Sequence, residues 1–228
     1  MSELSEPSIQ TKDKPFPIVV LISGGGSNLQ AIIDSRSKQK PAIDIRAVIS
    51  NDPDAYGLQR AIRNNITCKV VNHRDYPDRK TYDAALKAEI DSHQPGLVVL
   101  AGFMRILTTE FVNHYAGRLI NIHPSLLPLY PGLNTHQRAI DCGDKEAGAT
   151  VHFVTPQVDG GPVIIQARVP VLDTDSSTDL SSRVLEQEHL IYPRAIQWFT
   201  QGRLTIENGR VLLDGVISPK QQVFIDEK

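Results

Sequence analysis

Cysteine is scarce: the 228-residue chain has two, Cys68 and Cys142. Neither sits in a CxxC pair or at zinc-ligand spacing, and a chain long enough to bury a sizeable core needs no disulfide staple. Reduced thiols, no metal site and a cytoplasmic address are therefore expected. An excess of either charge is also missing. The 24 Lys and Arg residues face 26 Asp and Glu for a net charge of −2, which excludes a nucleic-acid coat. No apolar run approaches the roughly 20 residues of a membrane span. The opening Met1 to Lys14 lacks the basic and apolar regions of a signal peptide and reads as a flexible tail. Internal repeats and low-complexity stretches are absent too, so no solenoid or linker is expected. What remains, 40% hydrophobic and 22% charged, suits one soluble domain over residues 15–216, with a second tail over 217–228.

Apolar, β-rich runs alternate with helical patterns along the first half. Ile18 to Ile22, Asp44 to Ser50, Thr67 to Asn72, Leu97 to Ala101 and Leu119 to His123 read as strands. The first and fourth are continuously apolar rather than alternating, as strands covered on both faces are. The expected fold is α/β, with a Rossmann-like, mostly parallel, doubly wound sheet. After Pro124 the texture changes. A proline-spaced loop, Pro124 to Leu133, leads into strand-like runs at Thr150 to Val154 and Val163 to Pro170, the C-terminal antiparallel portion. A long helix over about Thr178 to Thr200 follows, with Ser176, Ser177 and Asp179 as capping candidates and Gly202 placed to stop it. Arg203 to Leu213 has the Asn208-Gly209 signature of a hairpin.

Four features carry chemistry. Ser23 to Asn28, with glycine at 24, 25 and 26, joins the first strand to a helix over about Leu29 to Asp34. Its amides therefore lie at a helix N-terminus, where anions bind. Leu29 breaks the dinucleotide pattern GxGxxG and no Gly-Lys pair supplies a Walker motif. A cradle for one monophosphate, helped by the Ser27 hydroxyl and the Asn28 amide, and a bare tight turn both fit. Asn121 and His123 share a face at a strand end, roughly 7 Å apart, and Pro124 keeps His123 extended toward the crevice. An amide donor beside an imidazole suits acyl transfer, although a histidine that merely bonds a neighbouring loop fits as well. Asp159-Gly160-Gly161-Pro162 reads as a turn, functional only where it folds back beside His123. Glu188 interrupts the apolar stripe Leu180, Val184, Ile191, Ala195 and Trp198 of the long helix. It either snorkels at the margin or is kept there for an amine-like ligand.

Together the runs VLISGGGSNLQ (20–30), VVLAGFMRIL (98–107), NIHPSLLP (121–128), His152 to Val154 and DGGPV (159–163) resemble the phosphoribosylglycinamide formyltransferase family over roughly Ile18 to Leu213. The resemblance implies Asn121, His123 and Asp159 as a catalytic trio. It implies Gly26, Ser27 and Asn28 at the nucleotide phosphate and Glu188 at the glycinamide part. It further implies that the folate lies against Met104, Arg105, Ile106 and Leu107 and touches Asn121, with Arg79 near its tail and the loop 156–161 at its pterin. Two positions depart from the family's habit. Gly25 stands where Asn is common, which a phosphate site built from backbone amides tolerates. Asn134 stands where His is common, so no second proton-handling histidine is carried over to that position.

The implied reaction is attack of the unprotonated amine of glycinamide ribonucleotide on the formyl carbon of 10-formyltetrahydrofolate. The substrates are small molecules, with no nucleic-acid or membrane partner, and the assembly stays open between a monomer and a homodimer. The nearest rival is formyltetrahydrofolate deformylase, in which water replaces the amine and an N-terminal regulatory domain is usual. Methionyl-tRNA formyltransferase is disfavoured by the balanced charge and the lack of room for a C-terminal RNA-binding domain. A non-enzymatic nucleotide-binding module would use the glycine loop alone.

Overall fold

The apolar run after Lys14 forms a strand, β1 (Phe16–Ile22), whose residues serve two cores. Ile18, Val20 and Ile22 pack into one cluster, Val19 and Leu21 into the other. Both faces are therefore covered, as the lack of alternation predicts. The computed structural model describes residues 14–217 and 221–224. The tail expected over 1–14 lies outside them apart from Lys14.

β1 pairs in parallel with β2 (Ile43–Ser50) on one side and β4 (Leu97–Leu100) on the other. The edge strand β3 (Cys68–Val70) extends β2, and β5 (Leu119–His123) extends β4, all parallel. Beyond β5 the direction alternates through β6 (Glu146–Phe153) and β7 (Val163–Pro170). The first cluster is covered by α1 (Ser27–Ser35), α2 (Tyr56–Arg63), α5 (Thr135–Asp141) and α6 (Ser177–Thr200). The second is covered by α3 (Arg79–Ser92) and α4 (Thr109–His114). The chain winds from β1 out to β3 and then returns to β4 on β1's other side. This leaves a topological switch point at the carboxyl ends of β1 and β4, the place where open α/β sheets bind ligands.

The α6 stripe is buried along its whole length, Glu188 included. Ser176 caps the helix in a reciprocal box with Asp179, satisfying amides that helix geometry leaves free. Gly202 leaves the helix at φ +68°. The hairpin β8 (Leu204–Glu207) and β9 (Arg210–Leu213) turns at Asn208 and Gly209, both at positive φ as a type I′ turn demands.

Three boundaries differ from the sequence reading. β6 begins at Glu146 rather than Thr150, because pairing with β7 overrides the weak strand preference of Ala147, Gly148 and Ala149. A side chain at 148 would place its Cβ 1.9 Å from the Ala167 carbonyl oxygen, so glycine is what lets the strands meet there. β3 is shorter than Thr67 to Asn72, having one neighbour only, and the Asn72 side chain instead accepts from Arg74 N–H. Within 217–228, read as a tail, Gln222–Phe224 forms β10, which pairs in parallel with β7 and completes an eight-stranded sheet. Pairing there covers an edge that β7 would otherwise leave open.

Candidate active site

The sheet register brings the polar residues of β5 and the Asp159 turn together. Asn121 lies opposite His152 of β6, and its Nδ2 approaches His152 Nε2 at 3.3 Å. His152 Nδ1 donates to the Phe153 carbonyl at 2.9 Å, which fixes the tautomer and leaves Nε2 to accept from the Asn121 amide. Burial pushes the His152 pKa down, against a smaller pull upward from the Phe153 bond and Asp159, so this ring is a neutral support that aims Asn121. His123 is buried and its Nε2 donates to the Tyr130 carbonyl at 2.9 Å. That bond turns Nδ1 toward Asp159, whose Oδ2 is 3.5 Å away.

Asp159 is held by its own backbone turn and by an amide of the loop after β5. It sits at φ +50°, which Asp tolerates better than most residues, and its Oδ2 accepts from Gly132 N–H at 2.8 Å. Its Oδ1 is 3.9 Å from His152 Nε2. Gly161 lets this loop press on β6, since a Cβ there would be 1.8 Å from the Phe153 oxygen. Asn121, His123 and Asp159 are thus united, and His152 joins them as a fourth member that the sequence reading did not single out. Local spacing carries no signal for it, since its role comes from standing opposite Asn121 across the sheet. His136, on α5 two residues past the left-handed Asn134, has its pKa lowered by burial first and by the nearby His123 second.

At the other end of the crevice Gly26 caps α1 in the left-handed conformation, at φ +69°. A Cβ at 26 would lie 2.7 Å from Gly57 Cα, so both its φ and its packing call for glycine. The Ser27 hydroxyl makes no hydrogen bond among the described residues, and the first-turn amides have no helical acceptor. Asn28 departs from the expected cradle. Its side chain is buried and its Nδ2 donates to Glu188 Oε2 at 2.6 Å, so only its backbone N–H remains for an anion. Glu188 therefore does not snorkel. It is 7% exposed, and burial raises its pKa against the lowering effect of Asn28.

Between the two ends runs the segment after β4. Met104 and Ile106 project into solvent at 65% and 58% exposure, as unfilled apolar contacts do, while Leu107 packs against the second core. Arg105 Nε is buried without a hydrogen-bond partner among the described residues. Arg79 stands exposed on the first turn of α3. A cavity of about 760 Å³ lies beside the loop 155–163, lined also by Arg210, Val211 and Gln221 from the hairpin side; its lining includes Gly160, next to Asp159, but no member of the trio.

The formyl transferase family model matches residues 16–196. Phosphoribosylglycinamide formyltransferase of Escherichia coli K12 is 54% identical over 210 residues, covering 92% of this chain and 99% of that protein. The solved structure of phosphoribosylglycinamide formyltransferase from Coxiella burnetii superposes with a TM-score of 0.87 at 50% identity, covering 93% of this chain and 100% of that one. A formyltetrahydrofolate deformylase from Pseudomonas putida KT2440 shares the fold at a TM-score of 0.79 but at 26% identity, covering 92% of this chain and 72% of that one.

Proposed function

The chain belongs to the formyl transferase family, and from that premise we propose a role for each residue of its crevice. The reaction is transfer of the formyl group of 10-formyltetrahydrofolate to the amine of glycinamide ribonucleotide, a step of purine biosynthesis. The observation that carries the assignment of roles is the pairing of two unlike ends in one crevice. A helix N-terminus able to hold a phosphate lies at the end of β1, and an amide, an imidazole and a carboxylate meet at the end of β5.

Gly26, Ser27 and Asn28 hold the phosphate through backbone N–H groups and the Ser27 hydroxyl, and Glu188 meets the acceptor beside them. Arg79, Met104, Arg105, Ile106 and Leu107, together with Asn121, receive the folate. Holding both substrates turns a bimolecular collision into a positioned attack. As the amine adds to the formyl carbon, charge develops on the formyl oxygen. Asn121, aimed by His152, donates to it, and His123 does so through Nδ1 once that atom is protonated. Asp159 balances the resulting imidazolium and, through water, carries the proton lost by the amine toward the departing folate nitrogen. Formation and collapse of the tetrahedral intermediate thus leave formylated nucleotide and tetrahydrofolate.

We place the enzyme in the cytoplasm, on the ground that Cys68 and Cys142 are both free thiols, Cys142 exposed. The function is tested by incubating 10-formyltetrahydrofolate with the purified protein, with and without glycinamide ribonucleotide. Rapid consumption is expected only with the nucleotide, with formylated product appearing mole for mole. Rapid release of formate without an acceptor would convert the reading to a deformylase.

A further inference from the structure

The segment that receives the folate is tethered by side chains from outside itself. β4 ends as Ala101 N–H donates to Leu21 O at 2.8 Å, and the chain then turns through the left-handed Gly102. At the near end Met104 N–H donates to Ser23 Oγ at 2.7 Å, and Ser23 N–H donates to Gly102 O at 3.1 Å. The Ser23 hydroxyl gives its own proton to Asn51 Oδ1, so the lone pair facing Met104 is fixed in direction. At the far end Thr108 N–H donates to Asp83 Oδ2 at 2.6 Å, and Thr108 Oγ1 then caps α4 by accepting from Phe111 N–H.

Asp83 is an expensive tether. It is 3% exposed, and its Oδ1 has no hydrogen-bond partner among the described residues. A neutral acceptor would hold one amide with far less loss of hydration. What a carboxylate adds is a short, charge-assisted bond that fixes the amide more firmly. Both tethers thus act on a segment that exposes Met104 and Ile106 while packing Phe103 and Leu107 on the second core, and whose conformation decides what an incoming ligand meets. Ser23 has a second attachment, because it is also the residue from which the glycine loop 24–26 departs.

Resting on the folate assignment above, we propose that Ser23 and Asp83 are positioning residues of the formyl-donor site. Asp83 serves the folate alone, whereas Ser23 serves both substrates through the glycine loop. The test compares wild type with Ser23→Ala, Ser23→Thr, Asp83→Ala and Asp83→Asn. Tetrahydrofolate affinity is measured by calorimetry, and KM for each substrate is measured in the transfer assay. Asp83→Ala should weaken tetrahydrofolate binding about tenfold, as expected for losing a bond to a charged group, and leave the nucleotide KM within about twofold. Asp83→Asn, which keeps a carbonyl acceptor, should recover most of the affinity. Ser23→Ala should raise both KM values more than it lowers kcat, and Ser23→Thr should restore both. Asp83→Ala with unchanged tetrahydrofolate affinity, or with an equal loss for the nucleotide, would overturn the proposal. Should Asp83→Ala not fold, the serine pair decides, and undiminished tetrahydrofolate affinity in Ser23→Ala overturns it. Because tetrahydrofolate binding needs no turnover, a wild type that binds it without transferring formyl sinks the assigned reaction and leaves the tethering test readable.

Discussion

Replacing Glu188 with Gln should make the unliganded protein more stable at neutral pH while impairing its use of the nucleotide. Burial raises the Glu188 pKa above that of a free carboxyl, about 4.3, and the Asn28 bond only partly opposes this. A group whose pKa is higher in the folded state adds stability below its unfolded pKa, and that stability is lost as pH rises through the folded value. Charge on Glu188 is therefore a burden on the fold, one that sets in as pH rises through its folded value. Gln keeps an acceptor for Asn28 Nδ2 and offers a donor to Asn28 Oδ1, which has no hydrogen-bond partner among the described residues. The exchange of a charge-assisted bond for a neutral one costs about 1 kcal/mol, whereas the relieved desolvation of a buried ion is several kcal/mol at full burial. A net gain on the order of 1 to 2 kcal/mol follows, a rise in Tm of a few degrees for a domain of this size. Thermal unfolding of both proteins between pH 7 and pH 5 is the assay. The advantage should be larger at pH 7 than at pH 5, because acid protonates Glu188 in the wild type, while the nucleotide KM at pH 7 rises about tenfold. A variant no more stable than wild type at pH 7 would refute the argument that burial dominates at this carboxylate.

Asn121→Ala and Asp159→Ala should each lower kcat on the order of a hundredfold or more, the scale of a lost oxyanion donor or proton-handling group; near wild-type turnover in a folded variant removes that residue from the trio. Ser27→Asp places a negative charge at the helix N-terminus proposed for the phosphate, so the nucleotide KM should rise about tenfold or more through charge repulsion. Tetrahydrofolate affinity should change little, and an unaltered nucleotide KM would remove the phosphate assignment. Gly161→Ala forces the loop away from the Phe153 carbonyl and drags Asp159 with it, so kcat should fall at least about tenfold while circular dichroism stays native; full activity would show that the loop's seat on β6 is not what places Asp159.

Those features that depend on local pattern were legible in the sequence. The two cores served by β1, the capping box of Ser176 and Asp179, and the Asn208-Gly209 turn all follow from residue spacing and turn chemistry. Pairing across the chain was not legible. Nothing near Ala147-Gly148-Ala149 announces a strand until β7 lies beside it, and the edge strand β10 exists only because β7 has an edge to offer. His152 was overlooked for the same reason, since its chemistry comes from standing opposite Asn121, 31 residues away. Asn28 was read as a phosphate contact from its place after the glycines. Its side chain turned inward because α6, 160 residues later, presents a buried carboxylate that needs a donor.

The two ends of the crevice also differ in what they ask of the sequence, and this accounts for the positions that depart from family habit. The phosphate end is built from backbone. Gly25 has negative φ and open space around its Cβ position, so a side chain there is tolerated and none is required. Its carbonyl accepts from Arg60 Nε at 2.8 Å, a bond that any residue at 25 could make. The chemical end is built from side chains whose neighbours fix their tautomers and directions, so an exchange of residue type there removes a function rather than a shape. Asn134 falls on the tolerant side of that division. It adopts φ +57° ahead of α5, a conformation that Asn enters readily, and its side chain caps nothing. Two histidines lie near His123, His136 and His152, and burial favours the neutral form of each. Neutral neighbours leave Asp159 as the charge that faces the His123 imidazole, which is what proton traffic through Nδ1 requires.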